Sequence, residues 1–172
     1  MSRAGRLQVE SCQWAPRRPA DLRFSLSLYG APLLGGLLLD RLVRLPDLPR
    51  RLRLPAGLAA PLGGAALVGW FLGTMRAAGT PVDVRHAPTR LVVEGPFRLT
   101  RNPGYVALAL VYAGVSLLAN GRWPQVLLPG VLAAVDRGVI VREERYLERR
   151  FGPDYDSYRR RVGRWVRTPG AG

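Results

Sequence analysis

The feature that most constrains this chain is the segment 54–75, which contains no charged side chain. With about 22 residues it would form an α-helix of about 33 Å, enough to cross the hydrocarbon core of a bilayer. Small residues at 63–66, Gly69 and Gly73 would let another helix approach closely, as they do where membrane helices pack. The segment therefore predicts a transmembrane helix in contact with a neighbour.

Three further apolar segments have comparable character. Residues 24–39 are uncharged over about 16 positions, or about 24 Å of helix, which is slightly short for a bilayer core. Residues 102–121 supply about 20 positions, and residues 123–141 are apolar except for Asp136 and Arg137. Charges inside a membrane segment face protein or a water-filled cavity rather than lipid. We expect an all-α, multi-pass integral membrane helical bundle of about four transmembrane helices, followed by C-terminal interfacial helices.

The first apolar segment has a competing interpretation as a secretory signal, because arginines precede it. Asp40 and Arg41 follow it where a cleavage site would have small residues, so an uncleaved membrane anchor is favoured. The whole chain, 1–172, is then a single membrane domain. Its parts are a polar N-terminal arm (1–23), the first two spans (24–75), a polar connection (76–101), and a helical hairpin with a cytoplasmic tail (102–172).

The net charge is +14, from 26 basic and 12 acidic residues, and every basic residue is arginine. Many of the arginines follow the last apolar segment, which predicts that the C-terminal region is cytoplasmic and that the connection 76–101 lies on the same side. The connection 40–53 also carries five arginines. It either lies in the headgroup layer or indicates that one of the first two segments does not fully cross.

Composition also argues against two classes of partner. The single cysteine, Cys12, and the single histidine, His86, cannot form a metal cluster. The arginine runs lack a matching nucleic-acid-binding motif and interleaved aromatic residues, so the charge is assigned to a membrane surface or an anionic ligand. We expect the lipid bilayer as a partner, and neither metal nor nucleic acid.

Local signals mark the ends of the later helices. Asn102 and Pro103 have the character of a helix cap followed by a proline at the first helical position. The segment 122–124 predicts a tight hairpin, and Gly152 followed by Pro153 predicts a helix end and a new start.

Helical spacing places two glutamates among apolar neighbours at the exit of the fourth segment. Glu144 shares a stripe with Ile140, and Glu143 shares the adjacent stripe with Val139. One interpretation is a solvated interfacial network in which the glutamates pair with nearby arginines, namely Arg137, Arg142 or Arg145. The other is a functional site.

Two sequence motifs favour the functional interpretation. Residues 91–105 read LVVEGPFRLTRNPGY, and residues 143–158 read EERYLERRFGPDYDSY. Together they resemble the isoprenylcysteine carboxyl methyltransferase and phospholipid methyltransferase group of integral membrane enzymes. The shared pattern is LV-x-x-G-P-[YF]-R, then R-[HN]-P-x-Y, then E-E-x-x-L-x-x-x-F-G-x-x-Y-x-x-Y. The resemblance covers about residues 79–166 and surrounds a helical hairpin.

The resemblance implies a membrane-bound methyltransferase that uses S-adenosyl-L-methionine and acts on a lipophilic methyl acceptor entering from the bilayer. The chemistry is consistent, since the cofactor's ammonium attracts a carboxylate and aromatic faces attract its sulfonium. The cofactor-binding residues implied are Thr89, Arg90, Leu91, Val92, Phe97, Asn102, Pro103, Gly104, Tyr105 and Glu143. Substrate contacts are assigned to Arg137, Arg142 and Glu144.

Two positions depart from the pattern of the isoprenylcysteine enzymes. Asn102 stands where those enzymes commonly have histidine, and Val139 stands where they place an arginine for the substrate carboxylate. A phospholipid amine, a phenol, a quinone-like ring or a small thiol therefore remains open as acceptor. Two other functions remain open: a membrane NADPH-dependent sterol or enone reductase, which has a similar R-[HN]-P-x-Y element, and a non-enzymatic membrane scaffold.

Overall fold

The computed structural model describes residues 22–79 and 91–166. These residues form helices and no strand. The elements are α1 (Leu22–Leu42), α2 (Arg50–Ala77), a 3-10 turn (Gly95–Arg98), α3 (Pro103–Leu118), α4 (Arg122–Val135), a π-turn (Asp136–Ile140), α5 (Val141–Phe151) and α6 (Pro153–Arg161). The all-α expectation is confirmed over this part of the chain.

Helices α2 and α3 form the most extensive helix pair, and α1 packs mainly on α4. The close approach of α2 to α3 depends on Gly64, where an added Cβ would lie 2.9 Å from the carbonyl oxygen of Ala107. The predicted role of small residues is confirmed at this glycine. Gly63, Gly69 and Gly73 have nothing within 4 Å of that position, so they do not mediate a contact in the described residues.

Two of the described helices are long and apolar enough to cross a membrane, namely α2 (Arg50–Ala77) and the continuous helix Arg122–Phe151 built from α4, the π-turn and α5. Only 11% of the most apolar window of α2 and 28% of that of the second helix is buried inside the molecule. A helix in the core of a soluble protein would be mostly buried, so these apolar surfaces fit a lipid environment. Spans at α1 and α3 stay predictions, and the 16 residues of α3 make only about 24 Å.

The hairpin between α3 and α4 turns slightly earlier than the sequence predicted. Asn120 adopts a positive φ of 56°, and α4 already begins at Arg122. The segment 122–124 is therefore the first turn of α4, and the reversal occurs at 119–121. Asp40 accepts the Trp123 backbone N–H at 3.3 Å, which gives this helix start an anionic partner at the positive end of its dipole.

The predicted break at Gly152 is confirmed. Helix α5 ends at Phe151, Gly152 has φ +48° and ψ −121°, and α6 begins at Pro153. Such a backbone conformation is strained for any residue with a Cβ, so glycine is required at this corner.

The described residues form two apolar clusters. The first is built by α1, α3, α4 and the π-turn around Tyr29, Tyr112, Val131, Val135 and Ile140. The second joins α6 to the segment 91–97 and to α5 around Tyr155, Tyr158 and Val162. Both clusters include motif residues, since Tyr105 packs against the first, Tyr155 and Tyr158 belong to the second, and Phe97 packs against the second.

Candidate active site

The two sequence motifs meet where α3 begins and α5 begins. The Tyr105 hydroxyl donates a hydrogen bond to Glu143 Oε1 at 2.9 Å, and the Tyr105 carbonyl accepts one from the Tyr29 hydroxyl at 3.2 Å. Tyr105 therefore connects α3 to α5 through its side chain and to α1 through its backbone. The pairing places a carboxylate beside the N-terminal turn of α3.

The loop before α3 is fastened to the segment that follows α6. Thr100 Oγ1 donates to the Arg164 carbonyl at 2.9 Å, and Asn102 Nδ2 donates to the same oxygen at 3.0 Å. The Arg101 backbone N–H donates to the Gly163 carbonyl at 3.0 Å. Asn102 occupies the predicted cap position, but its side chain makes no capping hydrogen bond. That part of the sequence prediction is wrong, because the amide is committed to Arg164.

Glu144 is the most enclosed carboxylate of the site, with 8% of its surface exposed. Its Oε1 lies 3.0 Å from Arg101 Nη1. Arg164 binds both carboxylate oxygens, with Nε 3.0 Å from Oε1 and Nη2 2.5 Å from Oε2. This fork geometry is the strong form of a guanidinium–carboxylate pair. The hydrogen bond to Glu144 raises the pKa of Arg164 above its ordinary value, so the guanidinium stays charged.

Arg164 also reaches the π-turn. Its Nη1 lies 2.9 Å from Asp136 Oδ2, while Trp165 Nε1 donates to Asp136 Oδ1 at 3.1 Å. In an uninterrupted α-helix, eight residues would place Glu144 about 80° around the helix from Asp136. The wider π-turn reduces that offset, so both carboxylates reach one guanidinium. Single π-turns of this kind are frequent at functional sites.

An open pocket of about 510 Å³ lies against this network. The residues that line it are Arg101, Leu132, Ala133, Asp136, Arg137, Arg164 and Trp165. Its volume is in the range of small-molecule sites, about 300–1,000 Å³. Arg101 Nε faces no hydrogen-bond partner among the described residues although the atom is buried. The pocket therefore combines cationic, anionic, aromatic and aliphatic walls.

The second apolar cluster positions the start of the first motif. The Tyr158 hydroxyl donates to the Phe97 carbonyl at 2.8 Å, and the Phe97 ring lies 5.7 Å from that of Phe71. Burial raises the pKa of Tyr158 and of Tyr155, so both phenols remain protonated donors at neutral pH. Arg101 Nη1 donates to the Tyr155 hydroxyl at 3.3 Å, which connects this cluster to Glu144.

The structure brings some of the predicted site residues together and separates others. Thr89 and Arg90 lie outside the described residues. Leu91, Val92 and Phe97 are half-buried, Asn102 and Pro103 are buried, and Gly104, Tyr105 and Glu143 are half-buried beside them. Of the substrate residues, Arg137 is exposed and lines the pocket, Arg142 is exposed on α5, and Glu144 is engaged by two arginines. Their roles in binding stay predictions.

Sequence reasoning did not assign Arg101, Arg164, Trp165 or Asp136 to the site. The alternative network proposed Arg137, Arg142 or Arg145 as partners of the glutamates, whereas the partners of Glu144 are Arg101 and Arg164. Arg101 could have been assigned to the site from the sequence, because it is the first residue of the R-[HN]-P-x-Y motif. Arg164 and Trp165 had no comparable signal, because they follow α6 and reach the site only through the fold.

A family model described as phospholipid methyltransferase matches residues 52–154. The match begins in α2 and extends past the start of α6, so it includes the first motif, the helical hairpin, the Tyr105–Glu143 pair and residues 143–154 of the second motif. No curated protein and no solved structure matches the chain. Since the family match covers more than half of the 172 residues, and the resemblance of the motifs points the same way, the chain belongs to the phospholipid methyltransferase family.

Proposed function

We propose that this protein transfers a methyl group from S-adenosyl-L-methionine to a lipophilic acceptor within the bilayer. The family match over residues 52–154 carries the proposal, since membership in this family implies a membrane methyltransferase. Two apolar helices long enough to span support the membrane setting. The identity of the cofactor and the class of methyl acceptor are our proposals.

The side chains at the site suit such a cofactor. Asp136 and Glu143 each offer a carboxylate to the ammonium group of the cofactor. Arg101 and Arg137 each offer a guanidinium group to its carboxylate. Trp165 offers an aromatic wall to a ring or a sulfonium. When bound, S-adenosylmethionine supplies an electrophilic methyl group on sulfur.

The contribution of the protein is then orientation rather than proton transfer. Tyr105 and Glu143 hold each other across the hairpin, and the network around Glu144 fixes the loop before α3. Fixing two reactants in line supplies a large part of the rate in a displacement reaction. Leu132 and Ala133 form an apolar wall of the pocket on α4, which gives a lipophilic acceptor an approach from the bilayer side.

The position expected to carry a substrate-carboxylate arginine is buried and apolar. Val139 lies in the π-turn with 2% of its surface exposed and carries no charge. Arg137, two residues earlier, lines the pocket. The proposal therefore extends to acceptors other than carboxylates, including a lipid amine.

Equilibrium binding of S-adenosylmethionine and of its demethylated product to the detergent-purified protein tests the function. We expect micromolar affinity for both and none for NADPH. Glu143→Ala should weaken binding about tenfold or more, because a charge-assisted contact is lost. Glu148→Ala is the matched control, since Glu148 is on the same helix and its side chain, within the described part of the chain, makes only an exposed ion pair with Arg159 at 3.6 Å.

Binding of NADPH instead would identify a reductase, and binding of neither molecule would indicate a scaffold. Either result overturns the proposed function. Equal loss of affinity in the Glu143 and Glu148 variants would reject the assignment of Glu143. With binding established, a labelled-methyl assay against a lipid extract identifies the acceptor.

A further inference from the structure

The segment that follows α6 completes the site, although it lies beyond the residues that the family model matches. Residues 162–165, here named the C-terminal strap, leave the helix at Arg161 and return to the start of α3. Val162 is buried in the second apolar cluster, which anchors the strap. Arg164 and Trp165 then line the pocket.

The backbone of the strap provides two acceptors for the motif loop. The Gly163 carbonyl accepts the Arg101 N–H, and the Arg164 carbonyl accepts the side chains of Thr100 and Asn102. Thr100 is 2% exposed and Asn102 is 8% exposed, so these donors have little access to water. A buried donor without an acceptor loses its hydrogen bonds to water with no replacement, and the strap carbonyls supply that replacement.

The side chain of Arg164 provides the second connection. Its guanidinium binds Glu144 through two nitrogens and Asp136 through a third. One residue therefore joins the loop before α3, the π-turn and α5. These three elements also carry Arg101 and Asp136, which line the pocket, and Glu144, whose Oε1 lies 3.0 Å from Arg101 Nη1.

We propose that Arg164 is a positioning residue: by bridging Asp136 and Glu144 while its carbonyl holds Thr100 and Asn102, it sets the geometry in which the cofactor binds. This inference rests on the proposed function. Arg164 acts through the carboxylates it orients, and its fork geometry matters as much as its charge. A lysine at this position keeps the charge and the backbone carbonyl but cannot bind both carboxylates in the same way.

The test compares cofactor affinity and thermal stability in the full-length protein in detergent. Arg164→Ala should weaken S-adenosylmethionine binding by about tenfold or more, and Arg164→Lys by about threefold, with Tm lowered by only a few degrees in the lysine variant. Arg160→Ala is the matched control, because Arg160 is exposed on α6 and, within the described residues, its side chain donates a hydrogen bond only to Ser157 Oγ, at 3.3 Å. The control should bind as the parent does.

A double variant separates positioning from general destabilisation. If Arg164 acts through Glu144, Arg164→Ala combined with Glu144→Gln should bind no more weakly than the poorer single variant, since coupled residues are not additive. Full additivity would contradict the inference. If the alanine variant does not fold, the lysine variant decides the question alone.

Three further results would overturn the inference. They are parent-like affinity in the lysine and alanine variants, the same loss in Arg160→Ala, and tighter binding after removal of the guanidinium. The last would mean that Arg164 competes with the cofactor for Asp136 and Glu144. Absence of binding in the parent protein would instead reject the proposed function, so the two failures are distinct.

Discussion

Adjacent glycines on α2 offer a matched test of how the two central helices pack. Gly64 is buried against α3, and an added Cβ would lie 2.9 Å from the Ala107 carbonyl oxygen and 3.0 Å from Val111 Cγ2. Gly63 is exposed and would meet nothing within 4 Å. Alanine at Gly64 must therefore push backbone aside, whereas alanine at Gly63 has free space.

The expected difference follows from two terms. Both glycines are interior to α2, so replacement by alanine improves the intrinsic helix propensity by about 1 kcal/mol in each case, and this term cancels in the comparison. Overpacking a well-packed contact costs about 1–3 kcal/mol. Gly64→Ala should thus be less stable than Gly63→Ala by about 1–3 kcal/mol, which is roughly a 5- to 150-fold change in the unfolding equilibrium.

Unfolding in mixed micelles, with increasing mole fraction of a denaturing detergent, measures this difference for both variants and the parent. Cofactor affinity should also fall in Gly64→Ala, because a shifted α3 displaces Tyr105 from Glu143. Equal stabilities of the two variants would refute the claim that α2 and α3 touch at Gly64. A lower stability of Gly63→Ala would place the packed face of α2 one residue away.

Two further predictions concern the C-terminal helices. Gly152→Ala should lower the free energy of unfolding by about 1–3 kcal/mol, because the backbone at φ +48° and ψ −121° is strained for alanine. Gly130→Ala, at an open helical position, should not lower it. Chemical or detergent denaturation of the two variants measures the difference. Ser157→Cys in a Cys12→Ser background should react with an impermeant maleimide in inside-out vesicles and not in intact cells, and the opposite labelling would reverse the predicted cytoplasmic orientation of α6.

The parts of the fold that could be predicted depend on local chemistry. The uncharged segment 54–75 lies within α2, and glycine followed by proline at 152–153 ends one helix and starts the next. Each follows from side chains within a few residues of the feature. The contact of Tyr105 with Glu143 agrees with the assignment of both residues to one cofactor site, because the two motifs flank a hairpin whose helices are neighbours.

The partners of Glu144 could not be predicted in the same way. The arginines nearest in sequence were the natural candidates, yet the fold brings Arg101 and Arg164 from 43 positions before it and 20 positions after it. The helical stripe also assumed a uniform helix, whereas the π-turn rotates Asp136 toward Glu144. Asn102 carries the residue type of a helix cap, but the Arg164 carbonyl of the strap accepts the hydrogen bond from its amide instead.

The strap has a consequence for the order in which the protein is made. Thr100 and Arg164 are 64 positions apart, and the whole hairpin, α5 and α6 are synthesised between them. Contacts this distant in sequence form late, because the intervening chain must be ordered first. A ribosome-bound chain can therefore have all its apolar helices inserted while the loop before α3 still lacks its acceptors, so insertion and completion of the site are separate steps in biosynthesis.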